Sequence, residues 1–277
     1  LPPAMGLLWL AEKRGAMLAA GAALLILVIL SLLTWQRAKL WSNTEILQNY
    51  WAVSTPESPR AQNRLSVHLF AVGQTDEAFA LLESAMQRLP HSSLVSMQWL
   101  LHKVMRQQAT AADFERVRKL LPQQRFNAQT LMGMRTIVEV LLESPDHAAS
   151  RRHALGLLDE MQSIPRYRAA PLFNKVAPYL RGLLFMAADE PDAAMPNLKL
   201  AMQRFNDIDL SLSTVANMAN SGYVSHALVL LDEAQQVLRQ QPAGTLVRTR
   251  DAYDLEILRI RGVLQHALET PKGTPHG

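Results

Sequence analysis

The sequence has no cysteine, and it has little glycine, proline and aromatic side chain. The absence of cysteine from 277 residues excludes disulfides, zinc–thiolate sites, iron–sulfur clusters and a cysteine nucleophile. Twelve glycines and fifteen prolines are too few for a fibrous or disordered chain. Aromatic residues make up 6%, whereas the helix formers Ala, Leu, Gln, Glu and Arg dominate. The composition therefore predicts an all-α fold.

Positive charge is in small excess, but its distribution does not fit a nucleic-acid-binding surface. The net charge is +4. Lys13, Arg14, Arg37 and Lys39 flank one apolar segment, and without them and the adjacent Glu12 the chain is nearly neutral. Binding to phosphate backbones needs clustered positive charge. We therefore expect no nucleic-acid partner, and a soluble RNA-binding helical repeat is the least favoured alternative.

The longest uncharged segment has the length of a membrane span. Ala16 to Trp35 forms about 30 Å of helix, which matches the hydrocarbon thickness of a bilayer. Trp35 and Trp41 lie where indole rings favour the headgroup zone. We predict a transmembrane helix over 16–35 within a membrane segment 1–41, with the lipid bilayer as a partner. The alternatives are a buried helix of a soluble protein and a signal peptide, whose apolar core is normally about 7–15 residues.

The segments before and after this helix are also predicted to be helical. Residues 1–11 are apolar and look like the end of a preceding span, which makes 12–15 a hairpin loop and predicts further transmembrane helices. Residues 42–58 are predicted as a linker helix. Two basic residues precede the span and two follow it, so the positive-inside rule does not decide the orientation.

Residues 59–90 contain two apolar helical stripes joined at Gly73. Ala78 follows Gly73 after five residues, Ala85 after seven more, and Pro90 after another five. Small residues let two helices cross closely, Gly73 permits the turn, and Pro90 ends the second helix. This pattern resembles the tetratricopeptide repeat, a helix–turn–helix unit of about 34 residues.

Weaker copies of the pattern recur along the chain. Their small and turn residues stand at matching offsets, with Asp189 in place of one turn glycine: Gly182, Ala194 and Ala201 in one copy, and Gly222, Ala227 and Ala234 in another. Residues 94–121 and 127–163 are further helix pairs, the second split at 144–146, where Ser144 or Asp146 is expected to cap the next helix.

One helix pair cannot bury its apolar face alone, so neighbouring pairs stack. We therefore predict a transmembrane helix followed by an α-solenoid of tetratricopeptide-like helix pairs. The repeat domain spans 59–268, its last helix closes the open end, and 269–277 is a flexible tail.

The repeat resemblance implies that a partner binds on the concave face built by the first helix of each pair. This face has a mixed polar and apolar lining, suited to a protein or peptide partner, and in two copies it comprises Arg60, Asn63, Val67 and Phe70, and Tyr179, Leu183 and Met186. The basic clamp that some family members use for C-terminal carboxylates is not recognisable.

Motifs for catalysis or cofactor binding are missing from the sequence. The eight histidines include no HExxH pattern, and there is no Gly-rich phosphate loop, nucleophile elbow or dinucleotide fingerprint. Two short basic pairs, Arg151–Arg152 and Arg248 with Arg250, are interpreted as solvated surface. We predict no catalytic, metal or cofactor-binding residue in this chain and leave its relation to an enzyme open.

The order of segments from Trp35 to Pro90 resembles the C-terminal part of bacterial multispanning membrane proteins. A span ending in TWQRAKLW, a short helix with Trp51, the segment PESPRAQNRL and the repeat follow one another. In such proteins, tetratricopeptide repeats stand behind a glycosyltransferase-like or polymerase-like membrane domain. The resemblance covers about residues 1–92, and it implies location in the bacterial inner membrane with the repeats on the periplasmic side.

Two functional interpretations follow. The preferred one is a membrane-anchored tetratricopeptide scaffold that mediates protein–protein interaction. The alternative is the non-catalytic C-terminal portion of a membrane glycosyltransferase or O-antigen-ligase-like protein, with a role in surface or protein glycosylation.

Overall fold

The computed structural model describes residues 16–143 and 147–269, and over these residues the protein is all-helical. The described ranges contain no β-strand, only an isolated bridge between Ser92 and Arg125, so the predicted all-α class is confirmed. The helices are α1 Ala16–Trp41, α2 Thr44–Ser54, α3 Pro59–Ala71, α4 Thr75–Arg88, α5 Ser93–Met105, α6 Ala111–Leu120, α7 Ala128–Glu143, α8 Ala148–Ser163, α9 Pro165–Arg168, α10 Pro171–Ala187, α11 Pro191–Phe205, α12 Ile208–Asn220, α13 Val224–Gln240 and α14 Arg250–Glu269.

Several predicted features lie outside the described residues. These are the preceding span and hairpin loop at 1–15, the caps Ser144 and Asp146, and the tail after Glu269. Glu269 itself is the last residue of α14.

Helix α1 is long and apolar enough to cross a membrane. Its 26 residues correspond to about 39 Å, and it continues six residues beyond the predicted end at Trp35. Its apolar side chains are uncovered, with Leu24, Leu25 and Leu27 between 61% and 64% exposed. Over the described residues, helix α1 is not buried within the protein, as the core helix of a soluble protein would be.

Local capping explains where the next two helices begin. The Asn43 side chain accepts a hydrogen bond from the Ile46 amide at 3.1 Å, which caps α2. Ser58 caps α3 in the same way, with Pro59 at the first helical position. The predicted linker helix 42–58 is thus the shorter α2 followed by a four-residue connection.

The chain divides within α4 into two compact units, Leu1–Leu81 and Leu82–Gly277. In the first unit, α2 contacts α1 and packs against α3. The Gln62 side chain donates to the Ala52 carbonyl at 2.9 Å in the α2–α3 interface.

In the second unit, helices that are two apart in the sequence pack together. Helix α5 packs on α7, α6 on α8 and α11 on α13, and α7 also contacts α10. The sequential pairs α10–α11, α12–α13 and α13–α14 are in contact as well. The core between them holds large, fully buried side chains, among them Trp99, Tyr167, Phe173 and Tyr253.

Four turns between helices share one backbone geometry. Gly73, Gln107, Asp189 and Gly222 have φ of +83°, +57°, +62° and +90°. In each turn the next residue's N–H donates to the carbonyl five residues earlier, at 2.8–3.2 Å, which satisfies the helix end as in a Schellman motif. Gln107 follows Gly73 by 34 residues, and Gly222 follows Asp189 by 33. The conformation therefore recurs at a repeat-like interval even where glycine is absent.

The small residues singled out in the sequence lie in tightly packed positions. Those that are at most 1% exposed are Ala78, Ala85, Ala194, Ala201, Ala227 and Ala234. Gly182 approaches α11 so closely that an added Cβ would lie 2.4 Å from Leu198 Cδ2 and 2.5 Å from its Cγ. Pro90 is exposed and stands two residues after the last residue of α4.

Candidate partner-binding site

A cavity of about 560 Å³ opens in the second unit, where the C-terminal ends of three helices lie side by side. The three are α7, α10 and α12, each the first helix of a predicted pair, and α8 contributes one arginine. We call this space the end cavity, and its lining is Leu142, Arg151, Leu183, Met186, Ala187, Asn217, Asn220 and Ser221.

Two of the predicted partner-binding residues line the end cavity. Leu183 and Met186 are three residues apart on α10 and share a face of that helix. Leu183 is half-buried, whereas Met186 is 8% exposed and belongs to the apolar core of the second unit. Leu183 therefore offers the larger contact surface of the two.

Tyr179, one turn before Leu183 on α10, is half-buried and packs edge-to-face on Phe205 with ring centroids 6.4 Å apart. Burial raises the pKa of the Tyr179 hydroxyl; Arg135 acts in the opposite direction, and Glu139 adds to the rise. The α10 face with Tyr179 therefore lies near charged groups of α7. Arg135 and Glu139 form a salt bridge with each other, with Arg135 Nε 2.7 Å from Glu139 Oε1.

Arg151 holds one wall of the end cavity together. Its Nε donates to the Leu141 carbonyl and its Nη1 to the Ala187 carbonyl, both at 2.8 Å. These carbonyls belong to the last turns of α7 and α10, where the helix dipole favours a cation. Arg151 is only 9% exposed, so its interpretation as solvated surface was wrong.

Arg250 also donates hydrogen bonds to carbonyls at the end of a helix, here α13. Its two terminal nitrogens donate to the Leu238 and Gln241 carbonyls at the end of α13. Arg152 and Arg248 are exposed, as interpreted from the sequence. Part of the basic excess therefore serves helix ends rather than a solvent-facing surface.

The polar side of the end cavity comes from the end of α12. Asn217, Asn220 and Ser221 precede the left-handed turn at Gly222, and all three are exposed. Amide and hydroxyl groups both donate and accept hydrogen bonds. Together with the apolar Leu142 and Leu183, they give the end cavity both apolar and hydrogen-bonding groups.

The other predicted binding residues lie on α3 in the first unit. Arg60 and Val67 are exposed, and Asn63 is half-buried. Phe70 is 8% exposed and packs edge-to-face on Phe79 at 5.0 Å between centroids. Arg60 and Val67 are therefore accessible to a ligand on this helix, whereas little of the Phe70 surface is accessible.

Sequence reasoning missed most of the end cavity. Arg151 gave no signal, because its two carbonyl partners lie 10 and 36 residues away. Asn217, Asn220 and Ser221 had a usable signal, since they directly precede the turn glycine that the repeat pattern had located.

Groups for metal or catalytic chemistry do not gather in the part of the chain that the structure describes. No three His, Asp or Glu side chains are placed there to hold a metal ion. One histidine–carboxylate pair is present, His226 Nε2 and Asp192 Oδ1, at 3.0 Å.

Comparison of the chain with family models, with curated proteins and with solved structures gives no match. The resemblances to tetratricopeptide proteins and to ligase-like membrane proteins therefore stay predictions.

Proposed function

We propose that this protein is a membrane-anchored helical scaffold that binds a peptide segment of a protein partner in the end cavity. The observation that carries the proposal is the end cavity itself. Three helices that the repeat pattern assigns to the binding face contribute to it, and its lining pairs apolar with amide side chains.

The anchor role is supported by the uncovered surface of α1. Every large apolar side chain described between Leu24 and Leu33, except Ile26, is about half exposed or more. Apolar surface of this extent is unfavourable in water and favourable in a bilayer. A signal peptide normally has an apolar core of about 7–15 residues, whereas the uncharged part of α1 runs from Ala16 to Trp35.

The scaffold role is supported by two regularities. The left-handed turn recurs at intervals of 34 and 33 residues. In the second unit, helices two apart in the sequence pack on one another, which is how successive pairs stack in repeat proteins. Such stacking exposes a continuous row of first helices, and partners bind along that row in repeat proteins generally.

The chemistry of the end cavity fits a short peptide segment. Leu142 and Leu183 provide an apolar surface for one side chain, and Asn217 and Asn220 provide hydrogen bonds for peptide groups. Arg151 fixes the wall between α7 and α10, so little ordering of this wall is needed when a ligand binds.

A peptide library selected on the full chain in detergent micelles tests the binding proposal. Peptides enriched on the wild-type protein are then measured on two variants of α10. Leu183→Glu places a charge in the end cavity, and Leu172→Glu places one on the same helix outside it, at a side chain that is 40% exposed.

We expect Leu183→Glu to weaken binding at least about tenfold, or ~1.4 kcal/mol, and Leu172→Glu to leave it unchanged. Equal binding to both variants would contradict the proposal, as would a library that yields no enriched peptide. Circular dichroism melting of both variants shows whether the helices remain folded.

A further inference from the structure

Helix α2 presents large apolar side chains on the side that faces away from the protein. Ile46, Tyr50 and Val53 are spaced four and three residues apart, so they share one face of the helix. They are 48%, 54% and 79% exposed. The opposite face carries Ala52, which is 5% exposed at the packing surface with α3. Helix α2 thus exposes large apolar side chains at positions where a helix on a water-exposed surface carries polar ones.

Helix α2 follows the proposed membrane span α1 directly in the chain, which places its exposed apolar face near the membrane. Only Ser42 and Asn43 separate the end of α1 from the start of α2, which is a reach of about 10 Å at most. The two helices are also in direct contact, with the Trp41 and Trp51 rings edge-to-face at 6.3 Å between centroids. Helix α2 therefore begins at the depth where α1 ends.

Aromatic and basic side chains mark this depth as the headgroup zone. Trp35 and Trp41 are 63% and 67% exposed near the end of α1, and Tyr50 and Trp51 follow on α2. Lys39 Nζ lies 5.6 Å from the centroid of the Trp35 ring, on the same helix end. Indole and phenol rings favour the boundary between acyl chains and headgroups.

We propose that α2 lies on the surface of the membrane that α1 spans, with Ile46, Tyr50 and Val53 inserted at the boundary between phospholipid headgroups and acyl chains. The inference rests on the proposed anchor role of α1. An interfacial helix buries its apolar face about 5–10 Å into this boundary. The packing of α3 on the inner side of α2 then holds the first unit against the membrane surface.

The cysteine-free sequence makes a fluorescent-label experiment direct. Single cysteines replace Ile46, Tyr50 or Val53, one at a time, and carry an environment-sensitive nitrobenzoxadiazole label. The full chain is reconstituted in vesicles of phosphatidylcholine and phosphatidylglycerol. A label on Leu27→Cys in α1 is the reference for a site in the bilayer, and a label on Arg64→Cys on the exposed side of α3 is the reference for a site in water. Each label is quenched in turn by aqueous iodide and by a doxyl-labelled phospholipid.

We expect the three α2 labels to emit at shorter wavelength than the Arg64 label, to lose iodide quenching and to be quenched by the doxyl lipid. Iodide quenching of all three at the level of Arg64, with Leu27 shielded, would overturn the inference and leave the anchor standing. Shielding from iodide without quenching by the doxyl lipid would also overturn it, since a protein surface would then cover the face. An aqueous signal at Leu27 would overturn both the anchor and the inference.

Discussion

Replacing Gly182 by alanine tests how closely α10 and α11 approach each other. The added methyl would lie 2.4 Å from Leu198 Cδ2 and 2.5 Å from its Cγ, distances that real contacts do not reach. Leu198 is fully buried, so its side chain has no solvent to move into. The helix backbone or the leucine rotamer must therefore shift.

The expected magnitude follows from two opposed effects. Alanine favours a helix interior over glycine by about 1 kcal/mol, whereas overpacking a filled core costs about 1–3 kcal/mol. Gly156 in α8 is the matched control, because a Cβ there meets nothing within 4 Å. The helix-propensity gain is the same at both sites, so the difference between the two variants isolates the overpacking. We expect Gly182→Ala to be less stable than Gly156→Ala by about 1–3 kcal/mol.

Thermal unfolding of the full chain in detergent, followed by circular dichroism, measures this difference. A third variant, Leu198→Ala, removes the side chain that the new methyl meets. Adding Gly182→Ala to that variant should then cost nothing, since the clash is gone. Equal melting temperatures for Gly182→Ala and Gly156→Ala would refute the close approach of α10 and α11.

Three further variants address other parts of the structure. Arg151→Met removes two hydrogen bonds to helix-end carbonyls and should lower the free energy of unfolding by about 2–4 kcal/mol; a loss below 0.5 kcal/mol would mean that water replaces the guanidinium. Burial, with a smaller contribution from Arg106, lowers the pKa of His102 from 6.5 to about 4. The folded state therefore binds fewer protons than the unfolded state between these values, and stability should fall by up to ~3 kcal/mol as pH decreases from 6.5 to 4. His102→Gln should flatten that part of the pH profile, and an unchanged profile would contradict the assignment. Gly222→Ala forces a Cβ into the left-handed turn at φ +90° and should cost about 1–2 kcal/mol in thermal melts, whereas a neutral result would contradict the turn.

The helices and turns were predictable where local chemistry alone determines them. The apolar run before Trp35 predicted α1, and the spacing around Gly73 and Gly222 located two turns. Asp189 was predicted at a turn position without glycine and has the left-handed conformation. Gln107 was not predicted, because glutamine has no preference for the left-handed conformation that it adopts here.

The end cavity was predictable only in part, because contacts between distant helices form it. The repeat pattern pointed to Leu183 and Met186 through their positions on a first helix. The repeat pattern did not show that Met186 is buried in the apolar core. It also did not show that Arg151 donates hydrogen bonds to carbonyls of two other helices. The outward apolar face of α2 likewise depends on which side packs against α3.

Flotation of the full chain with phospholipid vesicles after an alkaline carbonate wash tests the anchor most directly. Leu27→Arg with Ile29→Arg is the matched variant, because each arginine opposes insertion by about 2.5–3.5 kcal/mol at the helix centre. We expect the wild-type chain to float with the vesicles after the wash and the double variant not to float. Recovery of the wild-type chain in the wash, free of vesicles, would contradict the anchor role of α1.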